Sequence, residues 1–192
     1  MKILILAAGS SSRLGRPKQL LQYEGESLLR RSVKSALKTG IDVCVVTGSN
    51  HEDHENEIDD LNVDIVYNST WNQGMGNSLK IGVTYLLDQN PDLDAVIIMV
   101  CDQPKLTTSI LQDLISKYEE GNTLVASQYS DTNGVPALFH KTYFDEMLDI
   151  KDQQGAKVLI NTYPVCPVPF SSGIEDIDTM EDYNRLIEGS HS

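Results

Sequence analysis

Short apolar runs rich in β-branched residues alternate with segments of helical spacing along the whole chain. Residues 2–6 form one such run and predict a buried strand; residues 43–47 and 63–67 predict two more. The run Ala95-Val96-Ile97-Ile98-Met99-Val100 is the most apolar of all, the pattern of a central strand covered on both faces. Between them, residues 27–37 carry apolar positions at helical spacing, with Ser27 as N-cap and Gly40 as the C′ glycine. Residues 51–61 read as an acidic helix or turn and 76–87 as an amphipathic helix. Thr108 is expected to cap a helix that runs to Glu119 and stops at Gly121. Further strands are expected around Val125 and at 135–139, 165–168 and 174–177, with helices at 143–148 and 156–161. Pro164 breaks the pattern, and a helix over 180–187, capped by Thr179, closes it.

Repeated βα alternation without a linker or internal repeat predicts a three-layer α/β/α sandwich, its sheet mostly parallel and its crossovers right-handed. Ligands of such sheets bind beyond the carboxyl ends of the strands. The first strand and the most apolar one end at residues 7–18 and 101–105, which should therefore face a single cleft.

Composition narrows the class of function. With 192 residues, 40% apolar and 22% charged, the chain can fill one core without disulfides or a structural metal. Its net charge of -13 lacks the basic footprint of a nucleic-acid binder. Three widely spaced cysteines suit a reducing compartment. The opening apolar run is too short for a signal segment or membrane span, so a cytoplasmic protein without a membrane partner is expected. Residues 189–192 read as a tail or expression remnant.

The chemistry concentrates in Ala7-Ala8-Gly9-Ser10-Ser11-Ser12-Arg13-Leu14-Gly15-Arg16-Pro17-Lys18. Gly9 permits a tight turn, and the serines leave successive N–H groups free to form an anion nest. Arg13 can fork onto phosphate oxygens, and Lys18 can add a point charge. Neither the P-loop spacing nor that of G-x-G-x-x-G is present. On these residues alone, a solvated βα turn with surface cations is an equal reading.

The run Leu6-Ala7-Ala8-Gly9, Arg13-Leu14-Gly15 and Pro17-Lys18-Gln19-Leu20-Leu21 resembles the signature of the MobA-like nucleotidyltransferases. In pattern it lies nearest the molybdenum cofactor (molybdopterin) cytidylyltransferase branch. The resemblance implies one domain over residues 1–188, with a Rossmann-like sheet of the nucleotide-diphospho-sugar transferase type. It also implies that Leu6, Ala7 and Ala8 line the base pocket and that Gly9, Ser10 and Gly15 wrap the phosphates. Arg13 and Lys18 would then neutralise the triphosphate and the leaving pyrophosphate.

Further segments follow in the same order. Asn72-Gln73-Gly74-Met75-Gly76-Asn77-Ser78 resembles the family's second nucleotide loop, with Gly74 and Ser78 approaching base and ribose; read alone, it is a loop that starts a helix. Cys101-Asp102-Gln103-Pro104 resembles the metal motif, so Asp102 would ligate Mg²⁺, although an Asp there can also cap a turn. Cys101 reads as buried packing. Gly134-Val135-Pro136-Ala137-Leu138-Phe139 and Gln154-Gly155-Ala156-Lys157 resemble acceptor-side elements, which implies acceptor roles for Pro136 and Lys157. Asp176-Ile177-Asp178-Thr179-Met180-Glu181-Asp182-Tyr183 offers Asp178 as a second metal ligand; a capping box built on Thr179 is the alternative.

The implied activity is Mg²⁺-dependent transfer of a nucleoside monophosphate from an NTP to a phosphorylated acceptor such as molybdopterin, with CMP and CTP favoured because Ala7-Ala8-Gly9 resembles the cytidylyltransferase form. A molybdoenzyme is a further candidate partner. A GTP- or ATP-using relative, or one acting on a sugar or polyol phosphate, fits the same loop. An accessory protein that binds without turnover is the reading from another class. His51-Glu52-Asp53-His54-Glu55 reads as a solvated helix face rather than a metal site, and His140 as a residue beside the acceptor without a defined role.

Overall fold

The computed structural model describes residues 1–11, 14–174, 177 and 179–189. The first βα unit is β1 (Lys2–Ala7), which leads through the loop and a 3₁₀ turn (Lys18–Leu20) to a small hairpin, β2 (Gln22–Tyr23) and β3 (Glu26–Ser27). The sequence pattern gave no sign of this hairpin. Its turn places Glu24 at φ 49° and Gly25 at φ +83°, the paired left-handed conformation that suits two-residue hairpins. Helix α1 (Leu28–Leu37) begins where the Ser27 side chain accepts from Arg30 N. Gly40, at φ +80°, stands one residue later than expected, because Lys38 is the C-cap.

The chain continues through β4 (Val43–Thr47), α2 (His51–Ile58), β5 (Asp64–Tyr67), α3 (Met75–Gln89), β6 (Ala95–Val100) and α4 (Thr108–Glu119). Thr107, not Thr108, precedes α4 in extended backbone; the Thr108 hydroxyl instead donates to Ser35 O across to α1. Then come β7 (Leu124–Tyr129), β8 (Thr132–His140), α5 (Phe144–Leu148), α6 (Lys157–Thr162), β9 (Cys166–Pro169) and α7 (Met180–Gly189). Of the strand expected at 174–177, Ile174 instead ends a 3₁₀ turn over Ser171–Ile174 and Ile177 is in no strand, while residues 175 and 176 lie outside the described residues. There Phe170 packs against Tyr129 with ring centroids 5.7 Å apart. Phe170 is thus buried at the entry to a turn, just beyond the end of the sheet's last strand.

Seven strands form one sheet in the order β5-β4-β1-β6-β8-β7-β9. β5, β4, β1 and β6 are mutually parallel, β8 is antiparallel to both neighbours, and β9 is parallel to β7. Alternate residues feed two cores, as the period of a strand requires. Leu4, Leu6, Val46, Val96 and Ile98 meet α3, α5 and α6 on one face; Ile3, Ile5, Val45, Ile97 and Met99 meet α1 and α4 on the other. A third, small cluster of Leu14, Leu21, Tyr23, Leu28, Ile177 and Leu186 pins the hairpin to α7.

Two features of the sheet create the site. Chain order reverses at β1, with β4 and β6 on either side, so a crevice opens at the carboxyl ends of β1 and β6. In addition, β6 pairs with β8 only from Ala95↔His140 to Ile98↔Ala137. Register on the other side of β8 jumps from Ala126↔Ala137 to Ser127↔Gly134, so Val135 and Pro136 form a bulge. Pro136 has no N–H for the ladder, and its carbonyl accepts from Ser127 Oγ at 2.8 Å. Beyond the bulge β6 and β8 part, and the gap becomes a wall of the cleft.

Candidate functional site

Two adjoining hollows, of about 310 and 270 Å³, lie at these strand ends and share Leu6, Met75, Val100 and Asp102. The first is bounded by the loop after β1, through Gly9, Ser11 and Leu14, and by Lys18. The second is bounded by the β7–β8 side, through Tyr129, Gly134 and Val135, and by Gly155, Ala156 and Lys157.

At the end of β1 the chain leaves the sheet, and Gly9 and Ser10 are exposed. The backbone N–H groups of Gly9, Ser10 and Ser11 have no partner among the described residues. Ser11 turns the chain at φ 53° and Gly15 at φ +70°, and Leu14 N donates to Ser11 O. The left-handed positions of the loop are thus Ser11 and Gly15, not Gly9. A methyl group at Gly9 would meet nothing within 4 Å, so the glycine keeps open the space in front of the loop. Leu6 lines both hollows, whereas Ala7 and Ala8 are buried, and Ala8 packs against Gly48 and beside Trp71.

Lys18 and Asp102 meet between the hollows. Lys18 Nζ stands 2.5 Å from Asp102 Oδ2, with only 21% and 17% of the two side chains exposed. Asp102 Oδ1 is buried and has no hydrogen-bond partner among the described residues. A half-satisfied, partly buried carboxylate at the cleft fits a hard divalent cation such as Mg²⁺, which needs one or two carboxylates and keeps much of its water. Among the described residues no three His, Cys, Asp or Glu converge as a closed metal cage. Next to it, burial above all pushes the Cys101 thiol up to about 12, so it is an inert packing group.

Gln103, which the sequence reading left without a role, reaches across the β6–β8 gap. Its Nε2 donates to Tyr129 OH and to Val135 O, each at 3.0 Å, and its Oε1 is buried without a partner among the described residues. Met75 was likewise passed over: it is 53% exposed and forms part of both hollows. An exposed methionine at the first position of a glycine-flanked helix was the available signal.

The second predicted loop serves a different neighbour. Gly74, at φ +129°, and Gly76 lie against the backbone of residues 151–154, and Gly76 N donates to Asp152 O at 2.8 Å. Lys80 Nζ holds Asp152 Oδ1 at 2.5 Å, and Gln153 Nε2 donates to Gln73 O. Ser78, expected at base and ribose, is buried; its Oγ accepts from Asn68 Nδ2 at 2.9 Å. These contacts lock the start of α3 to the 151–155 turn, so Met75 and Lys157 are presented to the cleft from one clasped unit. Pro136 itself is buried in the bulge, and Val135 beside it faces the second hollow.

Arg13 and Asp178 lie outside the described residues. Their neighbourhood is partly visible: Ile177 N donates to Asp102 O at 3.1 Å. Thr179 and Asp182 form a reciprocal cap, with Thr179 N to Asp182 Oδ2 at 2.8 Å and Asp182 N to Thr179 Oγ1 at 3.2 Å.

The described histidines stand apart from the cleft. His51 stacks on Tyr67 at 4.6 Å and bonds Thr47 Oγ1 through Nδ1. His54 is buried rather than solvated, and burial pushes it down to about 4. His140 pairs with Ala95, at the opposite end of β6 from the cleft, so it does not lie beside the acceptor hollow.

With this geometry in place, comparison with known proteins decides the family. The chain belongs to the MobA-like NTP transferase domain family, which matches residues 3–166. It is 28% identical to the molybdenum cofactor cytidylyltransferase of Escherichia coli (strain K12) over 184 residues, covering 94% of this chain and 92% of that protein. It is 27% identical to the purine catabolism protein PucB of Bacillus subtilis (strain 168) over 197 residues, covering 95% and 94%. The crystal structure of Rv0371c from Mycobacterium tuberculosis H37Rv superposes with a TM-score of 0.83 at 26% identity, covering 97% and 96%. The chain is thus a nucleotidyltransferase with the expected three-layer fold. No described helix is long and apolar enough to cross a membrane.

Proposed function

We propose that this nucleotidyltransferase moves CMP from CTP to the phosphate of an organic acceptor such as molybdopterin, releasing pyrophosphate. The observation that carries the reading is the Lys18–Asp102 pair at the junction of the two hollows. One hollow is lined by Gly9 and Ser11 of the loop, whose N–H groups have no partner among the described residues and suit a triphosphate. The other has apolar walls of Ile98, Val100, Val135 and Ala156 with Lys157 beside them, which suits an organic body carrying a phosphate. The favoured base and acceptor rest on the Ala7-Ala8-Gly9 resemblance and on the likeness to the E. coli cytidylyltransferase.

Asp102 would hold Mg²⁺, which when bound offsets phosphate charge. Lys18 is near enough to Asp102 to share that task with the loop N–H groups and, in this reading, Arg13. A phosphate acceptor is already nucleophilic near neutral pH, so positioning and charge neutralisation suffice. Accordingly, no histidine lines either hollow among the described residues.

A thermal-shift series with CTP, GTP, ATP and UTP plus Mg²⁺ tests the nucleotide, because a ligand of the folded state raises its stability. CTP should give the largest shift. Pyrophosphate release with molybdopterin then tests the acceptor. A larger shift with another nucleotide overturns the CTP choice, and binding without pyrophosphate release from any acceptor would favour an accessory role.

A further inference from the structure

We infer that Gln19 is the positioning residue of the phosphate loop. This inference rests on the reading of residues 9–11 as a triphosphate cradle. Gln19 is 2% exposed, a costly place for an amide unless every bond is used. Its Nε2 donates backwards to two loop carbonyls, Ala7 O at 3.2 Å and Gly9 O at 2.8 Å. Its Oε1 accepts from Ser11 Oγ at 3.2 Å, and Ser11 Oγ in turn accepts from Lys18 N at 3.0 Å.

The consequence follows from peptide geometry. A peptide's C=O and N–H point in opposite directions. When Gln19 draws the carbonyls of Ala7 and Gly9 towards the interior, the N–H groups that follow them in the chain are turned the other way. The N–H that follows the Gly9 carbonyl is that of Ser10, which, like those of its neighbours Gly9 and Ser11, has no partner among the described residues. One buried amide thereby fixes the direction of the central donor, Ser10 N–H, and, through Ser11, the start of the turn that carries Lys18. A preorganised donor set of this kind loses little entropy when an anion arrives.

The test uses the whole chain with Gln19→Met, which keeps the side-chain length but removes the donors, and Ser11→Ala, a milder break in the same network. Two readouts are taken at a temperature where both variants are folded: ¹⁵N order parameters of residues 8–11, and the affinity of Mg²⁺-tripolyphosphate, the part common to all nucleoside triphosphates. In the native chain these amides should be ordered, near 0.85. In Gln19→Met they should fall below about 0.6, while residues 3–6 stay rigid and tripolyphosphate affinity drops at least tenfold. Ser11→Ala should lie between.

Unchanged order parameters overturn the brace. Lost order with unchanged affinity also overturns it, because Gln19 would then be structural only. Failure of the native chain to bind tripolyphosphate refutes the cradle itself, and the proposal with it.

Discussion

Lys18 Nζ and Asp102 Oδ2 stand 2.5 Å apart although 84 positions separate them in the chain. The ammonium occupies the position at the carboxylate that a divalent cation would need, while Asp102 Oδ1 is buried. Lys18→Met should therefore raise the affinity of the nucleotide-free protein for Mn²⁺, by about tenfold, the size of an ordinary coupling between ligands. The same substitution should lower turnover by about 10²-fold. Electron paramagnetic resonance of free Mn²⁺ reads the first effect; an unchanged affinity would show that the two cations do not compete.

Asp102→Ala should reduce turnover by about 10³-fold or more at saturating Mg²⁺. The fold should survive, because the bond from Ile177 N goes to the backbone carbonyl of Asp102, not to its side chain. Circular dichroism and a pyrophosphate assay together check this. Full activity in that variant refutes the metal assignment.

Two glycines separate packing from binding. A methyl group at Gly76 would press on the carbonyls of Lys151 and Gln154, so Gly76→Ala should cost about 2 kcal/mol in urea unfolding. Gly9→Ala meets open space and should change stability by less than about 0.5 kcal/mol. It should nonetheless raise the KM for the triphosphate, since its methyl group enters the space in front of the loop. The reverse pattern would disprove both assignments.

His54 gives the fold a pH dependence of known sign. Burial holds it neutral, lowering it from 6.5 to about 4 against the weaker opposing pull of Asp53. The unfolded chain therefore takes up the proton first as pH falls. Its contribution is complete above pH 6.5 and is lost progressively towards pH 4, amounting to about 2 kcal/mol at pH 5. His54→Leu should flatten that part of the profile in urea titrations at pH 7 and 5. A slope equal to that of the native chain rules His54 out.

The β1, β4 and β6 strands were legible because each is covered on both faces, so composition alone marks them. The cleft followed from where β1 and β6 end. Less local features were hidden. The β2–β3 hairpin has strands of two residues each, too short to show a period. After β9, Phe170 packs on Tyr129 ahead of a 3₁₀ turn, and isolated apolar residues such as these look the same as a strand in a short window. Gly74 was expected to approach base and ribose, and nothing local in the sequence shows that Gly74 and Gly76 lie against the 151–154 backbone. Nor could His54 be told from its exposed neighbours in α2, since only His54 and Ile58 are buried there and a single pair in an acidic run leaves little periodic trace.

The bulge at Val135 and Pro136 has an evolutionary consequence. The loop proposed to hold the triphosphate hangs from β1, while the far wall of the second hollow hangs from the β7–β8 hairpin and the 151–157 segment. Changes in the hairpin can remodel that wall without moving the backbone that carries Gln19 and Lys18. A chain built this way can acquire a new acceptor by drift in one hairpin while its phosphoryl chemistry stays under separate selection.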